Sequence, residues 1–188
     1  MCEQQLREII QDTQWLWRAL KAVQAIDPPC WCIGAGAIRN AVWDALHGWS
    51  TSSFLADIDV AYFDQTDLSM ERDEQYRLAL LKQEADLPWD VTNQAGVHLW
   101  FATVFGHAVQ PLESIEEAVR SWPETATSVG VRLDRDDQLR IIAPVGLDDL
   151  FGMVVRRNPR RVSPEVYRKR IETKKYLERW PKATIVVE

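Results

Sequence analysis

The sequence predicts an α+β fold, a single domain whose mixed β-sheet is packed by helices, with one helix at the N-terminal end and a basic helix at the C-terminal end. Three observations predict it. Segments with apolar residues three and four apart interleave with short segments that alternate apolar and polar residues. The 188 residues are 46% hydrophobic, which suits one domain around one core. No repeat, low-complexity tract or Pro/Gly/Ser-rich linker divides the chain, so it reads as an N-terminal helix over 1–28, a core over 30–161 and a C-terminal helix over 163–182.

Each element follows from local pattern. Leu6, Ile9, Ile10, Thr13, Leu16, Trp17, Leu20 and Val23 mark one long amphipathic helix that Asp27-Pro28-Pro29 stops. The apolar run 30–33 reads as a strand, Gly34-Ala35-Gly36 as a tight turn, and 37–47 as a helix closed by Gly48. A polar loop over 50–53 leads to a strand over 57–63, then a helix over 70–85 that Leu87-Pro88 breaks, then a short strand over 89–92. Residues 93–113 carry no clear pattern. Ser114-Ile115-Glu116-Glu117 is a capping box that opens a helix ended by Pro123. Val129, Val131 and Leu133 alternate, as do Leu139 and Ile141, which makes 134–137 a hairpin turn. A helix from about Leu147, the basic loop 156–161 and a last helix launched by Ser163-Pro164 complete the chain.

Composition narrows the function classes. No run approaches the ~20 apolar residues of a membrane span, and the first residues lack a secretory pattern. A soluble, cytoplasmic protein is expected. Three cysteines, Cys2, Cys30 and Cys32, are odd in number and form no paired C-x-x-C knuckles, which argues against a disulfide scaffold or structural zinc. Core packing is the expected use of the nine tryptophans. The net charge of −6 is unevenly spread: residues 156–182 carry 11 basic and 3 acidic side chains, residues 1–155 carry 11 and 24. Such a basic segment on an acidic body points to a phosphate-bearing partner, with a solvated helix face carrying Arg168, Lys175 and Arg179 as the plainer reading.

The chemistry concentrates in the middle of the chain. Asp57 and Asp59, two apart on a strand, share a face with Cα atoms roughly 6.6 Å apart, while Ile58 and Val60 face the core. At about 5 Å two carboxylates repel by around 3 kcal/mol, so such a pair shares a proton or binds a cation. Magnesium suits hard oxygen ligands. A third acid on a neighbouring strand would complete a platform for two ions, and Asp90, between the inward Trp89 and Val91, is the candidate. Gly34 and Gly36 leave the backbone free to approach a phosphate at the head of a helix, and Arg39 adds a bidentate donor.

The stretch Gly34-Ala35-Gly36-Ala37-Ile38-Arg39-Asn40, then Asp57-Ile58-Asp59-Val60, Phe63-Asp64, Asn93-Gln94-Ala95, His98, Trp122-Pro123-Glu124-Thr125 and Gly146-Leu147-Asp148-Asp149 resembles the small nucleotidyltransferase-like proteins of the DNA polymerase beta superfamily. The resemblance spans roughly residues 31–161. It implies that Gly34, Ala35 and Gly36 hold a triphosphate, that Asp57, Asp59 and Asp90 bind two Mg²⁺ ions, and that a nucleoside monophosphate passes from an NTP to a hydroxyl on a small-molecule, protein or RNA acceptor. Ala35 offers no hydroxyl, so backbone N–H groups or Arg39 must serve. Asn93, Gln94 and His98 are acceptor-side candidates, weighed against structural hydrogen bonds at a strand-to-helix junction. The alternatives are a nucleotide- or metal-binding protein of the same fold with little turnover, and a metal-dependent phosphoesterase.

Overall fold

The computed structural model describes residues 1–49 and 55–187; the polar loop expected over 50–53 lies outside them. The expected first helix is two: α1, Cys2–Asp12, and α2, Gln14–Ile26. Between them Thr13 is extended (φ −87°, ψ 92°), and its hydroxyl donates to the Ile9 carbonyl at 2.7 Å. A β-branched residue with a local hydroxyl competes with the helix for its backbone there. Apolar periodicity runs through the break because both helices press the same kind of face, including Leu6, Ile10, Leu16 and Leu20, into the core.

β1, Cys32–Gly34, is the middle strand of a five-stranded sheet and runs straight into α3, Ala35–His47. On one side it pairs antiparallel with β2, Ile58–Tyr62, which pairs parallel with the edge strand β3, Trp89–Asn93. On the other side it pairs antiparallel with β4, Gly130–Leu133, and β4 with β5, Leu139–Ile142. The sheet is therefore mixed, as expected. The crossover from β2 to β3 is α4, Met70–Gln83. At the hairpin, Asp134 accepts from the N–H groups of Asp136 and Gln138, and Asp137 adopts φ 60°.

Alternation sorts the sheet's two faces. Ile33, Ile58, Val60, Val91 and Val131 are buried with α1 to α3 in the main core, beside Trp43 and Trp180. On the other face Cys32 and Ala61 pack under α6, Ile115–Arg120, on Leu112, Ile115, Ala118 and Val119. Ser114 caps α6 as expected, accepting from the Glu117 N–H. Asp59 and Asp90 lie on this second face, beyond the reach of α6.

Four other departures have local causes. The unpatterned stretch contains a helix, α5, Val97–Phe105, which is apolar nearly all round and so shows no period. The helix expected from Leu147 is a single turn, α7, Asp148–Phe151, ended where Met153 takes φ 51°. Two-residue strands β6, Val154–Val155, and β7, Thr184–Ile185, pair in parallel, too short to leave a pattern. The last helix is divided into α8, Pro164–Lys174, and α9, Tyr176–Arg179, by Lys175 in the left-handed region (φ 49°, ψ 48°). That turn takes Arg179 off the stripe expected with Arg168 and Lys175: Arg168 and Lys175 are exposed and paired with Glu165 and Glu178, whereas Arg179 lies over the Trp180 ring, 4.3 Å from its centroid. Among the described residues no helix is long and apolar enough to cross a membrane.

Candidate active site

A cleft of about 290 Å³ opens where the uncovered part of the second sheet face meets the head of α3. The parallel register of β2 and β3 sets Asp59 directly beside Asp90, and Asp57, just before β2, lines the same wall. The three acids expected to act together are therefore together. Burial, then the charges of Asp57 and Asp90, push the Asp59 carboxyl up to about 7; the Gly36 N–H bonded to it and the more distant Lys174 pull the other way. Burial and the charge of Asp57 also raise Asp90.

The glycine turn divides its work unevenly. Gly34 is extended, and a Cβ there would stand 2.3 Å from the Trp122 ring and 2.9 Å from the Val129 carbonyl, so this glycine is a packing requirement. Ala35 takes the left-handed conformation (φ 51°), and its N–H donates to the Val129 carbonyl at 3.2 Å. Gly36 faces the cleft. A Cβ there would meet Arg39 at 3.8 Å, Asp57 at 3.9 Å and Asp59 at 4.0 Å, so its absence leaves open space over the carboxylates.

Arg39 lines the cleft but is 5% exposed. Its guanidinium hydrogen-bonds Asn40 at 2.8 and 3.2 Å and lies 4.9 to 5.5 Å from the ring centroids of Trp43, Tyr176 and Trp180. The same cleft has a basic wall that the sequence reading missed: Arg170 and Lys174 of α8 and Arg179 of α9, with Glu124 among them. Glu124 is 1% exposed and takes Arg170 at 2.8 and 3.2 Å, Tyr176 at 3.1 Å and Thr127 at 3.1 Å. Burial opposes its ionisation, but Arg170, Arg39 and these bonds outweigh that and hold its carboxyl below the ordinary range. The signal for this wall was Arg170 and Lys174 at i and i+4 on one helix face.

The acceptor-side candidates separate. Asn93 is 3% exposed and locks a turn, donating to the Asp64 and Asp67 carbonyls at 2.7 and 2.9 Å and accepting from the Asp64 and Ala95 N–H groups. Gln94 lines the cleft. His98 is on the first turn of α5, its buried Nδ1 without a hydrogen-bond partner, and does not line the cleft.

Among the described residues no group of three His, Cys, Asp or Glu side chains could hold a metal ion unaided. The donor chemistry nonetheless fits Mg²⁺, which is usually held by one or two carboxylates together with substrate phosphates rather than by an all-protein cage. A pair of mutually repelling acids beneath open space is such a donor set.

No curated protein matches the chain. Solved structures of similar fold include one described as revealing a CCA-adding enzyme head domain, studied by NMR, which is 24% identical over 98% of this chain and 96% of that one, with a TM-score of 0.80. Others are the Thermotoga maritima CCA-adding enzyme complexed with tRNA and a CCA-adding enzyme with CTP, each 13% identical with a TM-score of 0.55. This chain covers 42% and 43% of the length of those two. The likeness shows the fold. A family model described as Nucleotidyltransferase matches residues 21–185, from α2 through the acidic strands to the cationic helices and β7, and the chain belongs to that family.

Proposed function

We propose that this cleft transfers a nucleoside monophosphate from an NTP to a hydroxyl acceptor, with Mg²⁺ held by Asp57, Asp59 and Asp90 and completed by the triphosphate. The observation that carries this reading is that two walls of opposite charge share one cleft: three carboxylates, Asp57 just before β2, Asp59 on β2 and Asp90 on β3, and the basic side chains of Arg39, Arg170, Lys174 and Arg179. A free anion would be repelled by the first wall, and a bare cation by the second. A metal-bound polyphosphate satisfies both.

The bound metal would neutralise the carboxylates and charge building up on the reacting phosphate. The chain's own groups do the rest. Lys174 and Arg179 bind phosphate oxygens, Arg170 is aimed by Glu124, and Gly36 lets the nucleotide lie close over the acids. Asp90, raised by burial, accepts the proton of the attacking hydroxyl. That a CCA-adding enzyme of this fold is seen with CTP is consistent with an NTP donor.

The test is to incubate the protein with each of the four α-labelled NTPs and Mg²⁺ in cell extract. Label transferred to an acceptor, with release of pyrophosphate, supports transfer. Labelled monophosphate alone would reassign the cleft to hydrolysis, and unchanged nucleotide that nevertheless binds would make it a nucleotide-binding site without turnover.

A further inference from the structure

We infer that the acceptor sits in a second, aromatic-walled cavity opening off the same carboxylates, and that it is a small planar molecule carrying a hydroxyl and an anionic group. This rests on the nucleotidyl-transfer reading above. The cavity holds about 280 Å³ and is walled by Val97, Trp100, Phe101, Phe105, Leu112 and Trp122. A dry apolar cavity of about 150 Å³ takes a benzene ring, so this one takes a molecule of one or two rings. Phe101 lies 6.3 Å from Trp100 and 4.4 Å from Phe105, centroid to centroid, giving flat faces for a ring to stack on.

Its position fits an acceptor rather than a donor. Asp59 and Asp90 line both cavities, so a group in either one reaches the same reacting centre. Gly36, Asp57, Lys174 and Arg179, the features suited to a metal triphosphate, line only the first. The second has Arg161 instead. Its Nη2 donates to the Gln110 carbonyl at 2.7 Å, while its buried Nη1 has no hydrogen-bond partner. A buried unmatched donor of an always-charged side chain is satisfied by an anionic group on a ligand.

A polymeric acceptor fits less well, because two of the four arginines in the nearby basic loop are already engaged. Arg156 pairs with Asp149, and Arg157 donates to the Val162 carbonyl. A phosphate backbone needs several cations at once. In the transfer, the acceptor oxygen forms a bond to the α-phosphorus and the bond from that phosphorus to the α,β-bridging oxygen breaks. Pyrophosphate leaves with the electron pair, and the hydroxyl proton passes to Asp90.

Nuclear magnetic resonance of the ¹⁵N-labelled full chain tests this, with 4-hydroxybenzoate as the probe, phenol as its analogue without the anion, and each Mg²⁺–NTP added separately. 4-Hydroxybenzoate is expected to shift the Trp100 indole N–H and the α5 amides. Phenol should bind about tenfold more weakly than the probe, and the probe about tenfold more weakly to the Arg161→Gln variant, the loss of one charge-assisted hydrogen bond. Trp100→Ala, at a ring 38% exposed, should abolish the probe's effect on α5 and leave nucleotide shifts at Gly36 intact. Nucleotide shifts at Gly36 with no probe shifts at α5 would overturn the acceptor pocket while leaving nucleotidyl transfer standing. Nucleotide shifts at Trp100 that Arg161→Gln weakens would give the pocket to the base, and α5 shifts induced by a short single-stranded RNA but not by the probe would make the acceptor a polymer; each overturns the inference. If no NTP binds at all, the transfer reading fails and the acceptor role fails with it.

Discussion

Asp59 and Asp90 are Cα partners across the parallel ladder of β2 and β3, so two carboxylates on one sheet face are held side by side by backbone pairing rather than by any bond between them. Their repulsion is therefore built into the register, and the fold carries it unless a proton or a cation relieves it.

The first prediction follows from the sign of that repulsion. The Asp59 carboxyl titrates near 7 in the folded chain against an ordinary value of 3.8. Its contribution to stability is thus fully present below about pH 4 and is lost as pH rises through 7. Because the half-buried carboxylate still meets water in the cleft, Asp59→Asn should stabilise the metal-free protein by on the order of 1 to 2 kcal/mol at pH 8 and by nothing at pH 4. Chemical denaturation at both pH values checks it. Mg²⁺ should raise the melting temperature of the parent at pH 8 and leave that of the variant unmoved.

The two glycines of the turn should respond with opposite signs. Gly34→Ala drives a Cβ into the Trp122 ring and the Val129 carbonyl, the second of which cannot step aside, so folding should suffer by a few kcal/mol. Gly36→Ala meets ordinary contact distances in the first turn of α3 and should be neutral or stabilising by up to about 1 kcal/mol. Its methyl occupies the space over the acids, however, and Mg²⁺–NTP binding should fall. Calorimetric titration of the folded Gly36→Ala variant is the measurement; unchanged affinity would take the nucleotide away from this turn.

Glu124 is expected to matter first for folding. Removing it by Glu124→Ala leaves Arg170 and Tyr176 without their shared partner and should cost about 3 to 5 kcal/mol. Glu124→Gln keeps hydrogen-bonding atoms in place and should cost less. Since the folded-state carboxyl is held below its ordinary value, the parent's stability is present above the unfolded value of 4.5 and is lost as pH falls through the folded one. Denaturation midpoints measured from pH 7 down to 3 should drop more steeply for the parent than for Glu124→Gln.

How much of this was legible in the sequence depends on range. Asp57, Asp59 and Asp90 were legible because alternation on a strand is a local rule, and Trp89 and Val91 fix which way Asp90 points. Gly34 and Gly36 were legible as a turn but not as two different glycines, since what separates them is Trp122, nearly ninety residues away. Arg179 reads from sequence as part of a solvated basic stripe with Arg168 and Lys175, because nothing local reveals that Lys175 bends the chain and carries Arg179 back to the cleft. α5 escaped altogether: Leu99, Trp100, Val104 and Phe105 are all markedly exposed, so its apolar residues mark no single buried stripe.

The last prediction separates the two cations of α8 that line the cleft. Arg170 is fixed to Glu124 by two bonds and cannot turn to a ligand without leaving a buried carboxylate behind. Lys174, one helical turn further, lines the cleft on a flexible stem and is half-buried. Lys174→Gln should therefore leave the melting temperature near that of the parent and weaken Mg²⁺–NTP binding about tenfold, one phosphate contact's worth. It should also remove a charge that favours ionised Asp59, so the pH at which Mg²⁺ begins to stabilise the protein moves upward. The salt dependence of NTP affinity decides between phosphate contact and a merely structural role: a shallower slope in the variant assigns Lys174 to the triphosphate, and an identical slope with lost stability would make it a support of α8 alone.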